Sequence, residues 1–195
     1  MRIVAGKFRG KILAKSDHLN LRPTTDKNRE ALFNILASAK FIKEIGFEIL
    51  GAEVLDLCCG TGAVGFEALS RGAKFVMFID VNSEHLKIVQ KNSADLKVEK
   101  LIKILQADAK KLPKNNQDFD LIFIDPPYAE DYSSIMNSLI KSNFIKKSSL
   151  IVVEFQTTNE PDFVSSNFHL LDLRRYGKTA FAFFTISKFE LHPTF

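Results

Sequence analysis

From Glu53 onward, short apolar runs alternate with stretches of helical periodicity, and this rhythm restricts the chain more than any other feature. Residues 54–57, 75–79, 102–105, 119–124 and 150–155 are too short and too evenly apolar to be amphipathic helices. Between them, residues 63–71, 83–96 and 133–141 carry the helical pattern. Apolar strands separated by helices bury both their faces in a mostly parallel sheet with helices on either side. The last two runs, 170–173 and 180–186, are joined only by Arg174-Arg175-Tyr176-Gly177-Lys178. That link is too short for a crossover, so this pair is antiparallel. Upstream, residues 2–13 read as a small hairpin around Gly6 and Gly10, with Lys7, Phe8 and Arg9 near its turn. Leu21-Arg22-Pro23-Thr24-Thr25-Asp26 then introduces a helix whose apolar face carries Leu32, Phe33, Ile35 and Leu36.

The first strand runs into Gly60-Thr61-Gly62-Ala63-Val64-Gly65, and Asp80 ends the next strand. Glycines there let the backbone approach a nucleoside, and a carboxylate on the neighbouring strand reaches ribose hydroxyls. That much fits a nicotinamide dinucleotide as well as S-adenosylmethionine. Asp56 tilts the balance, because a carboxylate just before the turn repels a pyrophosphate but suits an ammonium and a sulfonium. Asp108, in Ala107-Asp108-Ala109, follows the third strand and is placed to accept from an adenine amine. Taken singly, each of these acids could be a cap or a solvated side chain. Their succession along the carboxyl edge of one sheet marks a ligand crevice.

Asp125-Pro126-Pro127-Tyr128 follows the fourth strand. Two prolines continue neither a ladder nor a helix, so the chain leaves the sheet as a stiff loop beside that crevice. An exocyclic base amine is a poor nucleophile, since its lone pair is conjugated with the ring. The Asp125 carboxylate and the Pro126 carbonyl can accept its two N–H bonds and hold the lone pair toward a methyl donor. Tyr128 offers a face on which a flipped base can stack.

Charge is unevenly spread. Residues 1–29 hold eight Lys/Arg against two Asp/Glu, whereas the rest hold 19 against 21. A basic end of this kind is either a solvated terminus or a footprint for a polyanion. Lys7, Arg9, Lys11, Arg22 and Arg29, with Arg174, Arg175 and Lys178, are the candidate RNA contacts. The two cysteines, Cys58 and Cys59, are adjacent and make no ordinary disulfide. The four histidines have no ligand spacing, so no metal site is expected. Without a membrane-spanning run or signal segment, a cytoplasmic protein is expected, and a monomer.

Beyond these motifs, Gly6-Lys7-Phe8-Arg9-Gly10, Arg22-Pro23-Thr24-Thr25-Asp26-Lys27-Asn28-Arg29-Glu30 and Leu69-Ser70-Arg71-Gly72-Ala73 resemble the RsmD family, the guanine-N2 methyltransferases of bacterial 16S ribosomal RNA. The likeness runs from Arg2 to about Gly177. It implies a class I, Rossmann-like, seven-stranded sheet, mostly parallel with an antiparallel C-terminal hairpin. Residues 1–48 would form an RNA-binding hairpin and helix extension, and residues 49–195 the methyltransferase domain. The resemblance makes Asp125, Pro126, Pro127 and Tyr128 the catalytic loop. Asp56, Cys58, Gly60 and Gly62 would line the methionine side of S-adenosylmethionine, with Asp80 at the ribose and Asp108 and Ala109 at the adenine. The partner implied is 16S rRNA, within a partly or fully assembled small subunit. Cys58-Cys59 and Asn28 depart from the family's usual residues at those positions. An adenine-N6 methyltransferase shares the Asp-Pro-Pro-Tyr loop, but usually carries a large target-recognition region for which this chain has no room.

Overall fold

The computed structural model describes residues 1–15, 25–127, 131–161 and 167–186. The strands are β1 (Glu53–Leu57), β2 (Phe75–Asp80), β3 (Ile102–Gln106), β4 (Phe119–Ile124), β5 (Ile145–Gln156), β6 (Phe168–Tyr176) and β7 (Thr179–Ile186). They form one sheet in the order β3-β2-β1-β4-β5-β7-β6. The first five are parallel, and β7 runs antiparallel to both β5 and β6. This is the class I methyltransferase sheet.

The helices are α1 (Asp26–Ser38), α2 (Lys40–Glu44), α3 (Ala63–Ser70), α4 (Ser83–Leu96) and α5 (Tyr132–Lys141). Three start where a side-chain oxygen meets an unpaired amide: Thr25 accepts from Asn28, Asn82 from Glu84 and Asp131 from Ser134. The period of two along each strand then separates two buried clusters. Val54, Val76, Phe78, Leu121, Phe123, Val152 and Phe183 face α1, α3 and α4. Leu55, Met77, Ile79, Ile122, Ile151, Val153 and Phe184 face α5.

The hairpin closes antiparallel through Arg2 and Ile12, with Ile3 donating to Lys11 and Gly10 donating to Ile3. It lies along the outer side of α3. Val4 and Ala5 amides donate to the Glu67 carboxylate at 2.7 and 3.0 Å, and Lys7 and Phe8 amides donate to Ser70. Contact is so close at Gly6, in the left-handed region, that a Cβ there would lie 1.9 Å from the Ser70 carbonyl oxygen. Ile3 and Leu13 join the same buried cluster as the sheet.

Two expectations need correction, and one helix is new. Arg174, Arg175 and Tyr176 belong to β6, and the turn is reduced to Gly177-Lys178, because the alternating ladder with Phe181, Ala180 and Thr179 extends to the strand's end. Strand β5 begins at Ile145, five residues earlier than its apolar run, since Ile145 pairs with Phe119. Helix α2 was not legible at all, being only five residues long. No helix among the described residues is long and apolar enough to cross a membrane.

Candidate active site

Leu57, Ile79 and Ile124 lie level in the sheet register, so the chain leaves β1, β2 and β4 at one height. Cys58, Asp80 and Asp125 are therefore the next residues on three neighbouring strands. The Asp125 amide donates back to the Leu57 carbonyl at 3.3 Å, and the Cys59 amide to Ile79 at 3.0 Å. These bonds fasten the catalytic-loop candidate to the strand that begins the glycine turn. Pro126 is buried and Pro127 exposed. Tyr128 lies outside the described residues.

The turn itself needs left-handed backbone at Cys58 (φ 61°), Gly60 (φ 52°) and Gly62 (φ 77°). Glycine is required at Gly62 and Gly65 for a second reason. A Cβ on Gly62 would meet Phe66 and Phe78 at 2.9 Å, and one on Gly65 would meet Phe78 at 2.3 Å. These glycines let α3 pack directly on β2, as the last glycine of such a turn does.

Gly62 caps α3 but has no side chain to do it with. Asp56 performs that task from β1, its Oδ2 accepting from the Gly65 amide at 2.9 Å. Burial pushes the Asp56 carboxyl up to about 8, and the neighbouring charges of Asp80 and Glu154 push the same way, against the Gly65 hydrogen bond. Asp80 uses Oδ2 to accept from Gly60 and Oδ1 to accept from Asn82, both at 2.9 Å. His85 Nδ1 stands 3.1 Å from Asp80 Oδ1. Asp108 is half-buried and accepts from Lys110 at 2.9 Å, capping a 3₁₀ turn Ala109–Lys111. Burial also raises the Cys59 thiol well above its ordinary range.

The structure thus brings Asp56, Cys58, Gly60, Gly62, Asp80 and Asp125 together at the carboxyl ends of β1, β2 and β4, with Asp108 and Ala109 just after β3. It does not bring Arg29 to any surface. Arg29 is 0% exposed and was misassigned as an RNA contact: it pairs with Asp26 at 2.8 Å, lies 3.6 Å from Glu67, and donates to the Arg2 carbonyl. Arg174 pairs with Asp172 and Arg175 with Glu160, at 2.7 and 2.6 Å, while Lys178 stays exposed. Arg22 is outside the described residues. Lys7 and Arg9 are exposed near the hairpin tip, at the Ser70 end of α3, away from the glycine turn. The eight residues of that helix put roughly 12 Å between its ends.

Two residues next to Asp56 and Asp80 escaped the sequence reading. Glu154, only 7% exposed, shares the sheet face of Asp56 and Asp80. A lone acid within the apolar run of β5 was the available signal. Val81, directly after Asp80, is an exposed apolar residue, 67% accessible. Nothing in sequence distinguished it from an ordinary strand residue.

A parallel sheet with a glycine turn after β1, an acid ending β2 and an Asp-Pro-Pro loop after β4 defines a class I, S-adenosylmethionine-dependent methyltransferase. The residues fit that cofactor's chemistry, with the acids Asp56, Asp80 and Glu154 buried close to one another beside the glycine turn. The model of the family described as "Conserved hypothetical protein 95" matches residues 1–185. The chain belongs to that family, the RsmD family. It is similar to Ribosomal RNA small subunit methyltransferase D of Haemophilus influenzae, 34% identical over 91% of this chain and 89% of the relative. The protein of the same name from Escherichia coli is 32% identical over 93% and 87%. The solved structure of yhhF from Escherichia coli superposes with a TM-score of 0.77, at 28% identity over 95% of this chain and 97% of that one.

Proposed function

We propose that the protein transfers a methyl group from S-adenosylmethionine to the exocyclic N2 amine of a guanine in 16S ribosomal RNA. The observation that carries this reading is the anchoring of Asp125, by its amide, to the end of the strand that leads into the cofactor turn. The relatives' activity on small-subunit rRNA supports the substrate class.

The bound cofactor supplies an electrophilic methyl on a sulfonium. The Asp125 carboxylate and the Pro126 carbonyl accept the two N–H bonds of the target amine and pyramidalise the nitrogen. That leaves the nitrogen lone pair directed toward the sulfonium methyl that bound S-adenosylmethionine would supply. The excess proton passes to water or to Asp125. The two prolines keep both acceptors oriented before the reaction begins. Tyr128 provides the stacking face for the extruded base.

Lys7, Arg9 and Lys11 extend the RNA footprint along the outside of α3, and Lys178, with Arg174 and Arg175, flanks it at the carboxyl edge. The reading is tested by incubating purified rRNA with the enzyme and labelled cofactor, then identifying the methylated nucleoside. N2-methylguanosine is expected, and N6-methyladenosine would replace this reading with the adenine one. Changing Lys7, Arg9 and Lys11 together to Gln should flatten the salt dependence of RNA affinity by about 2–3 in slope. An unchanged slope would leave the hairpin a solvated terminus.

A further inference from the structure

Asn92 lies on the inner side of α4 and is 1% exposed. Its side chain is used from both ends. Oδ1 accepts from the Ala14 amide at 2.7 Å, while Nδ2 donates to the carbonyls of Ala14 at 3.4 Å and Thr61 at 3.3 Å. Thr61 is the middle residue of the glycine turn, and Ala14 closes the N-terminal hairpin. One buried amide therefore joins segments 78 and 31 residues away from it in sequence.

A second contact runs between the same two segments. Leu13 donates to the Met1 carbonyl, and the Thr61 hydroxyl stands 3.8 Å from Met1 Sδ. Both ends of the hairpin are thus gathered at the turn, while its middle is fixed to Glu67 on α3. The turn is gripped on one side by Asp80 through the Gly60 amide and on the other by Asn92 through the Thr61 carbonyl. Asp80 would hold Gly60 even in a chain without the hairpin. The Asn92 grip exists only where Ala14 fixes the amide's orientation, because a buried side-chain amide satisfied at both ends has one workable rotamer.

We propose that Asn92 is a positioning residue through which the N-terminal segment sets the shape of the glycine turn, so that cofactor binding and the ordering of residues 13–15 are linked. Linkage of this kind is reciprocal: whatever steadies residues 13–15 tightens the cofactor, and the cofactor steadies residues 13–15. The inference rests on the cofactor assignment and not on which base is methylated.

Two variants and one measurement on the unaltered protein test it. Asn92→Asp keeps an acceptor for Ala14 but removes the donor to Thr61, and Asn92→Leu removes both. Calorimetric affinity for S-adenosylmethionine, taken well below each melting temperature, should weaken about tenfold in both, with kcat at saturating cofactor within threefold of the parent. A lowered melting temperature with unchanged affinity would make Asn92 merely structural and overturn the proposal. Should neither variant fold, amide hydrogen exchange of the native protein decides. Saturating S-adenosylmethionine should slow exchange at Ala14 about tenfold, and no change there overturns the linkage. Native protein that fails to bind S-adenosylmethionine would overturn the cofactor assignment, and this inference with it.

Discussion

The two ends of the sheet carry acids of the same kind in opposite states. At the amino edge, Lys74 lies 2.9 Å from Glu53, and its hydrogen bond holds the Glu53 carboxyl below the usual range. Lys146 reaches Asp120 at 2.8 Å and Asp118 at 3.4 Å. Partial burial would raise Asp120, but the Lys146 hydrogen bond, the Glu53 amide and nearby cations outweigh it and hold that carboxyl down. At the carboxyl edge, Asp56 has neighbours of its own sign, and burial raises it to about 8. The amino edge is electrostatically finished. At the carboxyl edge no cation is among the groups that shift Asp56, and a cationic ligand placed there would favour its ionised form, which is how a binding site differs from a structural cluster.

The largest effect should come from Asp125, the acid proposed to hold the target amine. Asp125→Ala should slow methyl transfer by about 10²–10³-fold, the range seen when one preorganised stabilising group is lost. Its affinity for S-adenosylmethionine should stay within a few-fold. Normal turnover in steady-state assays would remove Asp125 from the chemistry.

Asp56→Asn sharpens the contrast through pH. A carboxyl raised from 3.8 to about 8 keeps a proton in the folded chain that the unfolded chain has released. The folded state therefore loses stability as pH rises through that interval, by up to about 1.4 kcal/mol per unit. Asparagine still accepts from Gly65 but cannot titrate. Urea denaturation at pH 5 and pH 8 should show the parent losing more stability than the variant. Equal losses would mean Asp56 is ionised in the free protein.

The smallest effect belongs to the finished edge. Asp120→Asn should cost no more than about 1 kcal/mol at neutral pH, because Asp120 is partly exposed and its ion pair is screened by solvent. Its carboxyl is depressed, so that contribution is present above the ordinary value of 3.8 and fades as pH falls through the lower folded value. Cofactor affinity should not move. A calorimetric change in affinity would show that the two edges communicate.

What the sequence made legible follows the reach of each interaction. Helix α4 could be read to the residue because its cap, Asn82, and its apolar face are local. The glycine turn and the Asp-Pro-Pro loop are local too. Arg29 was misread because its partner Glu67 is distant in sequence, and only the fold turns a basic residue of a basic segment into a buried one. Asp56 was read as a ligand for positive charge, whereas its bond to Gly65 also makes it the cap of α3. Arg174 and Arg175 look like turn residues until the ladder with β7 gives them places on an edge strand. Asn28 had no evident packing, yet its Nδ2 donates to the Thr179 hydroxyl at 3.0 Å and ties α1 to the start of β7.

The position of β7 bears on how the chain is made. It is the last strand of the sheet to be synthesised, yet it sits between β5 and β6. Until β7 is in place, the buried apolar side chains of β5, such as Ile151, Val153 and Phe155, flank an unpaired sheet edge. Strand β6 precedes β7 in the chain but cannot pair before it, since among the described residues its ladder is with β7. The half-made molecule therefore presents an open hydrophobic edge, the kind of surface that invites association with other chains. Insertion of β7 closes both ladders in one event. Truncation anywhere within β7 should therefore leave both ladders incomplete and yield an aggregating chain rather than a smaller folded one.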